Sequence, residues 1–345
     1  TGYFVPIALL GFAASIFGMY TAPLRAAAEG LALILTKVNG ISTLGGFSSV
    51  DVPSLPKGIT IFFLCVLFFL ASETFLIYRH RKETKKIGAV LLLILSLSLV
   101  AEAFSYSEIT HDQIVFVDVG QGDCIHLRAG RKNILIDGGG KIEYNTGKRT
   151  LKPYLLKNGA AKVEAALATH LHTDHYKGLT ELRECMRVDR LYTAMTAGST
   201  LKATPNIRIE TLWPLEIKEK NAQDENKNCS VFMIYYGKYK ILVTGDLDSE
   251  GEREMIRYYG DSGRLRADVL KVGHHGSKTS TCEEFLKYAS PKIAVIQVGQ
   301  NTYGHPAAET LERLEKQGIM VFRNDQSGAV GLRLKEDGIQ IHTVL

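Results

Sequence analysis

Thr169-His170-Leu171-His172-Thr173-Asp174-His175 sets three imidazoles and one carboxylate within six residues, in the pattern H-x-H-x-D-H. A hydrophobic core has no use for that density of ligand atoms. Imidazole and carboxylate together suit zinc, manganese or iron. Alternate residues of an extended segment point the same way, so His170, His172 and Asp174 can converge on one side. The preceding Val163–Ala168 reads as a buried strand, and Gly178 onwards reads as a helix. The motif therefore belongs in a loop at a strand's C-terminal end, where α/β folds place their chemistry.

Working outward, the same grammar recurs. Val231–Tyr236 and Tyr239–Val243 form a hairpin across Gly237-Lys238, and the second strand runs into Thr244-Gly245-Asp246. Asp268–Val272 runs into Gly273-His274-His275-Gly276-Ser277, and Ile293–Ile296 is followed by Asn301-Thr302-Tyr303-Gly304-His305-Pro306 and a helix over 307–317. Upstream, the strand 114–117 leads into Asp118-Val119-Gly120-Gln121-Gly122-Asp123, a tight turn whose backbone can approach a ligand closely. Cys124–Arg128 and Asn133–Ile136 are further strands, the latter ending in Asp137-Gly138-Gly139-Gly140; 151–158 is a helix, and 321–322, 329–334 and 339–344 close the domain as short strands. Loops from adjacent strands can thus gather His170, His172, Asp174, His175, Asp246 and one of His274 and His275. That is enough for two divalent ions sharing Asp246, an arrangement that clamps the attacking and leaving oxygens of an in-line displacement.

The chain begins at Thr1 without a methionine and is read as part of a longer protein. Its composition changes near residue 105. Residues 1–104 hold eight Lys/Arg and five Asp/Glu among 41 and 36 in the whole chain, and are rich in Leu, Ile, Phe and Ala. The expected membrane part has spans at 3–19, 59–78 and 87–104 and an amphipathic, interfacial helix at 23–41. The basic connection Arg79–Lys86 is cytoplasmic by the positive-inside rule, which carries everything after Phe104 to the other face. Glu73, within a span, is expected to face protein or the interface rather than lipid. The remainder, 105–345, has the charge balance of a soluble domain and no strong basic face, so composition alone does not argue for nucleic acid. Cys65, Cys124, Cys185, Cys229 and Cys282 form no C-x-x-C pair and read as buried free thiols.

H-x-H-x-D-H, a strand-terminal Asp and a later His loop resemble the metallo-β-lactamase superfamily. Asp118–Asp123, Leu270–Ser277 and Asn301–Pro306, together with the preceding spans, resemble the C-terminal portion of the ComEC/Rec2 family of DNA-internalisation (competence) proteins. The resemblance covers essentially the whole chain. It implies an α/β fold, the metallo-β-lactamase-type αββα sandwich, preceded by transmembrane helices. It also implies a metal-dependent nuclease that degrades the non-transported DNA strand during uptake through an inner-membrane channel. The alternatives are a catalytically weak DNA-guiding module and a hydrolase of another phosphoester. His170 and His172 would bind one ion, Asp174 and His175 the second, with Asp246 bridging and His275 favoured over His274 to complete the second site. The ions would be Mn or Zn. Asp174 and Asp246 take catalytic roles; His305 and Lys271 contact phosphate or protonate the leaving group. No histidine lies between His175 and Asp246, so Asn228, Asp118 and Asp123 are weak or supporting ligands, and Lys177 stands where the family has glycine. The partners implied are DNA, the membrane, the upstream channel part and other uptake proteins. The chain would be a multi-pass protein of the cytoplasmic membrane with its C-terminal domain outside.

Overall fold

Val231-Phe232-Met233-Ile234 places four apolar side chains in succession because that strand is covered on both faces. Phe232 and Ile234 enter one core, Val231 and Met233 another. All four are fully buried, each stabilising the fold by roughly 1.5–3 kcal/mol relative to exposure.

The computed structural model describes residues 112–345, apart from 217–225, 227, 228, 336 and 345, together with Lys86 and Val90. The chain divides into two units, 1–109 and 110–345. In the first, Lys86 and Val90 are helical and exposed. The expected spans and the interfacial helix otherwise lie outside the described residues, as does Asn228. Among the described residues no helix is long and apolar enough to cross a membrane.

The second unit runs β1 (Gln113–Phe116), β2 (Ile125–Ala129), β3 (Lys132–Ile136), α1 (Lys152–Lys157), β4 (Lys162–Val163), β5 (Ala165–Leu167), α2 (Gly178–Cys185), β6 (Arg187–Val188), β7 (Leu191–Tyr192), β8 (Thr200–Lys202) and β9 (Ile207–Trp213). It continues β10 (Val231–Tyr236), β11 (Tyr239–Val243), α3 (Ser249–Tyr259), β12 (Val269–Lys271), α4 (Glu283–Ala289), β13 (Ile293–Ile296), α5 (Ala308–Lys316), β14 (Met320–Arg323), α6 (Asn324–Ser327), β15 (Ala329–Lys335) and β16 (Gly338–Val344). The described residues build two seven-stranded sheets, ordered β16-β15-β1-β2-β3-β5-β7 and β14-β13-β12-β11-β10-β9-β8. The short strands β4 and β6 pair separately, so the expected single strand 163–168 is interrupted at Glu164.

Three cores define the layers. One lies between the sheets and draws Ile114, Ile136 and Leu167 from the first and Ile209, Ile234 and Val269 from the second. A second packs α3, α4 and α5 on the outer face of the second sheet through Met255, Phe285 and Leu314. The third packs α1 and α2 on the first sheet through Leu155 and Leu182. The order is therefore α/β/β/α. Cys124, Cys229 and Cys282 are buried free thiols as expected, whereas Cys185 is only half-buried.

β3, β5 and β7 are parallel in the first sheet, and β11 to β14 are parallel in the second. Parallel strands place their C-terminal ends at one edge; the ligand-bearing loops follow β5, β11 and β12, joined by the loop between β1 and β2 that carries Asp123. The site thus draws on both sheets, not on adjacent strands of one.

Candidate metal centre

β5 ends where Asp137, at the end of β3, donates its N–H to the Leu167 carbonyl at 2.8 Å. Asp137 is buried and sits at φ 58. Its carboxylate accepts from the Thr169 N–H and hydroxyl, both at 2.7 Å, and stands 2.9 Å from His175 Nδ1. The glycines after it let the chain press against the histidine turn: Gly138 donates to the His175 carbonyl at 2.7 Å and Gly178 to the Gly139 carbonyl at 2.8 Å. A Cβ on Gly178 would collide with the Gly138 carbonyl. A strand-terminal acid thereby fixes the ring of His175 and leaves its Nε2 facing the centre. Such outer carboxylates commonly orient metal-ligating histidines. The sequence showed Asp137 at a strand end, but nothing in it revealed partners 32 and 38 residues away.

On the other sheet, the turn after β11 holds Gly245 (φ 52), where a Cβ would run into Cys229 Sγ. Cys229 Sγ accepts the Asp246 N–H at 3.2 Å. Burial and the Asp246 carboxylate push that thiol up to about 12. It is a neutral prop for Asp246, not a thiolate ligand. The Ser230 N–H to Thr169 carbonyl bond, 2.7 Å, ties the two sheet ends together. After β12, His274 and His275 both adopt positive φ, 49 and 51. His275 is buried, with Nδ1 2.9 Å from the Gln297 carbonyl and Nε2 3.2 Å from Asp174 Oδ2. The Gln297 side chain donates to the carbonyls of Val117 and Cys124 in the first sheet, at 3.2 and 2.8 Å. It is a second fixing residue that spacing did not reveal.

Two donor clusters result. Asp123, His175, Asp246 and His275 form one, all buried; His170, His172 and Asp246 form the other, and in each the donor atoms lie within 4.8 Å of one another. Asp246 belongs to both. His170 Nε2 and His172 Nδ1 are 2.9 Å apart, and His170 Nε2 is 3.9 Å from Asp246 Oδ2. His175 Nε2 and Asp246 Oδ1 are 3.2 Å apart, yet both are buried and neither has a hydrogen-bond partner. Donors left unsatisfied and aimed at one space are what a divalent cation would satisfy, and this N/O set fits one.

The electrostatics agree. Burial and then the His175 charge hold His170 well below the ordinary histidine range. Burial opposes the charged form of His175 and His275 too, but Asp246 and Asp123 outweigh it, raising His175 well above its usual value and His275 to about 10. These carboxylates thus favour the protonated form of both rings, and a bound metal would displace such protons. Asp174, opposed by burial but bonded to His275 and near His175, is held well below the carboxylate range.

Several expected residues lie elsewhere. Lys271 is wholly buried, donates to the Gly245 carbonyl at 2.9 Å and is ion-paired with Asp123. It neutralises a carboxylate of the centre from a fully buried position. Asp118 is exposed and accepts the Gly120 N–H at 2.9 Å, closing its own turn; Asp123 alone of that loop enters the centre. Lys177 turns away, bonded to the carbonyls of Lys141 and Tyr144 at 2.8 and 3.3 Å and paired with Glu181. Asp174 stands at the rim, its side chain 34% exposed. His274 also lies at the rim, Nε2 3.7 Å from Asp246 Oδ2. His305 follows at a ring distance of 5.6 Å from His274, with the exposed Tyr303 6.0 Å beyond it.

The profile described as "Metallo-beta-lactamase superfamily" matches residues 117–187 and 225–300, which contain every residue of both clusters. "ComE operon protein 3" of Bacillus subtilis is 28% identical over 312 residues, covering 78% of this chain and 39% of that protein. "Competence protein ComA" of Neisseria gonorrhoeae is 31% identical over 268 residues, covering 73% and 36%. "Recombination protein 2" of Haemophilus influenzae is 28% identical over 243 residues, covering 66% and 30%. The chain belongs to the ComEC/Rec2 family. It spans less than two fifths of the length of these ComEC/Rec2 relatives. Among solved structures, the metallo-beta-lactamase fold protein YhfI from Bacillus subtilis is 12% identical with a TM-score of 0.41, covering 64% of this chain and 99% of that one.

Proposed function

We propose that residues 110–345 hydrolyse phosphodiester bonds of DNA with divalent metal, removing the strand that is not taken up, on the outer side of the cytoplasmic membrane. The observation that carries this reading is Asp246, common to both donor clusters and buried among their histidines. His170 and His172 would hold one ion, Asp123, His175 and His275 the other, with Asp246 between. When bound, the metal supplies a hydroxide near neutral pH and charge to stabilise the transition state. Asp174, anionic and at the rim, is placed to orient water and accept its proton. His274 and His305 line the mouth, within reach of a phosphate oxygen or the leaving group. The basic Arg79–Lys86 connection supports the outer location, and the partners are those of a DNA-uptake channel. Zinc and manganese both suit the donor set.

One observation favours a second reading. The ammonium of Lys271 already compensates Asp123, which weakens the case for a filled second site and suits a DNA-guiding module of low activity. Metal-dependent cleavage of a labelled oligonucleotide by the full chain, abolished by a chelator, supports the hydrolase; bound metal with no cleavage establishes the guide.

A further inference from the structure

The register of the second sheet lines up four residues across four strands. Lys202 on β8 lies opposite Arg208 on β9, Arg208 opposite Tyr235 on β10, and Tyr235 opposite Lys240 on β11. Directly opposed residues share a face. It is the outer face, because the neighbouring Ile207, Ile209, Ile234 and Ile241 all enter the core between the sheets. The Arg208 guanidinium sits 3.7 Å over the Tyr235 ring, and Lys240 Nζ is 5.9 Å from the same ring. Among the described residues none of Lys202, Arg208 and Lys240 forms an ion pair. Of the nearby acids, Glu210 pairs with Arg264 and also bonds Tyr235, while Asp268 accepts the Lys240 backbone N–H at 2.9 Å and keeps its charge, so the three track cations outnumber the one acid left uncompensated.

Like charges directly opposed destabilise a sheet, and Lys202 against Arg208 is such a pair. The row adds nothing to the metal centre either: Asp246 lies six residues beyond Lys240, roughly 20 Å along the strand. An anion laid along the row would relieve the repulsion. Strands stand about 4.8 Å apart, so the cations extend over about 14 Å. That is too long for one phosphate and suits a series of them. A single file of cations with one aromatic ring matches one polynucleotide backbone.

We propose that Lys202, Arg208, Tyr235 and Lys240 form a docking track for the phosphodiester backbone of a single DNA strand, remote from the metal centre. The inference deepens the proposed function, on which its choice of DNA rests, and it gives the strand a hold on the domain away from the centre, before or after any cleavage.

The test is fluorescence anisotropy of a labelled oligothymidylate with the full chain in chelator, across a salt series. The variant Lys202→Gln/Arg208→Gln/Lys240→Gln is compared with wild type and with the charge-matched Lys157→Gln/Lys287→Gln/Lys316→Gln. Each phosphate contact on a single strand contributes about 0.7 to the slope of log K against log salt, so the track variant should lose about 2 and bind at least about tenfold more weakly. Lys202→Gln alone, at an exposed position, should lose about 0.7 of slope. The control should bind as wild type. Track variants with the wild-type slope overturn the proposal. Hydrolysis of bis(p-nitrophenyl) phosphate with added Mn²⁺ separates the two readings: no hydrolysis with track-dependent binding removes the hydrolase and leaves the track standing.

Discussion

Asp137 Oδ2 stands 2.9 Å from Nδ1 of His175, joining the glycine-rich end of β3 to the histidine turn after β5. The contact fixes which ring nitrogen of His175 faces Asp246, so Asp137 governs the centre without entering it. Outer partners of this kind are worth about 10- to 100-fold in metal affinity. Asp137→Asn should therefore weaken Mn²⁺ or Zn²⁺ binding by that factor in equilibrium dialysis, with the circular dichroism of the fold retained. Wild-type affinity in the variant would show that His175 orients itself.

Gly245 tests the geometry under Asp246. It combines φ 52 with Cys229 Sγ and Thr169 packed where a side chain would grow. Gly245→Ala should cost about 2 kcal/mol or more in denaturant unfolding, from left-handed backbone strain and overpacking. An unchanged midpoint would mean that the loop has room to move.

The opening motif, the hairpin at 231–243 and the loops after β11 and β12 were legible because each joins a run of apolar residues to an abrupt polar turn. The three strands between 187 and 202 were not. β6, β7 and β8 have two or three residues each and are partly exposed, too short for a period to register. The choice between Asp118 and Asp123 was also invisible, since both flank the same glycines and only burial separates them. The burial of Lys271 was invisible for a related reason: its partners, Asp123 and the Gly245 carbonyl, lie far from it along the chain.

Glu252 makes stability depend on pH. It is fully buried and accepts the Cys282 N–H at 2.8 Å, yet burial raises its carboxyl from 4.5 to about 7. Folding favours the protonated form, so this stabilisation is complete below the unfolded value and is lost as pH rises through the folded one. The loss by about pH 8 is about 3 kcal/mol. Urea unfolding from about pH 5 to about pH 8 should show wild type losing stability relative to Glu252→Gln. Parallel profiles would contradict the assignment.

Tyr303 is 74% exposed beside His305 at the mouth of the centre. Stacking of a base on an aromatic ring is worth about 1–3 kcal/mol. Tyr303→Ala should lower kcat/KM on an oligonucleotide about tenfold or more while leaving bis(p-nitrophenyl) phosphate turnover unchanged. Equal losses on both substrates would assign Tyr303 a structural role.

The shared carboxylate is the central claim, and metal-dependent cleavage of a labelled oligonucleotide by the full chain and by Asp246→Asn tests it most directly. Wild type should cleave with added Mn²⁺ or Zn²⁺. The variant should lose at least about 100-fold, the upper end of what even outer partners of a metal site contribute. Cleavage by Asp246→Asn at the wild-type rate would contradict the account.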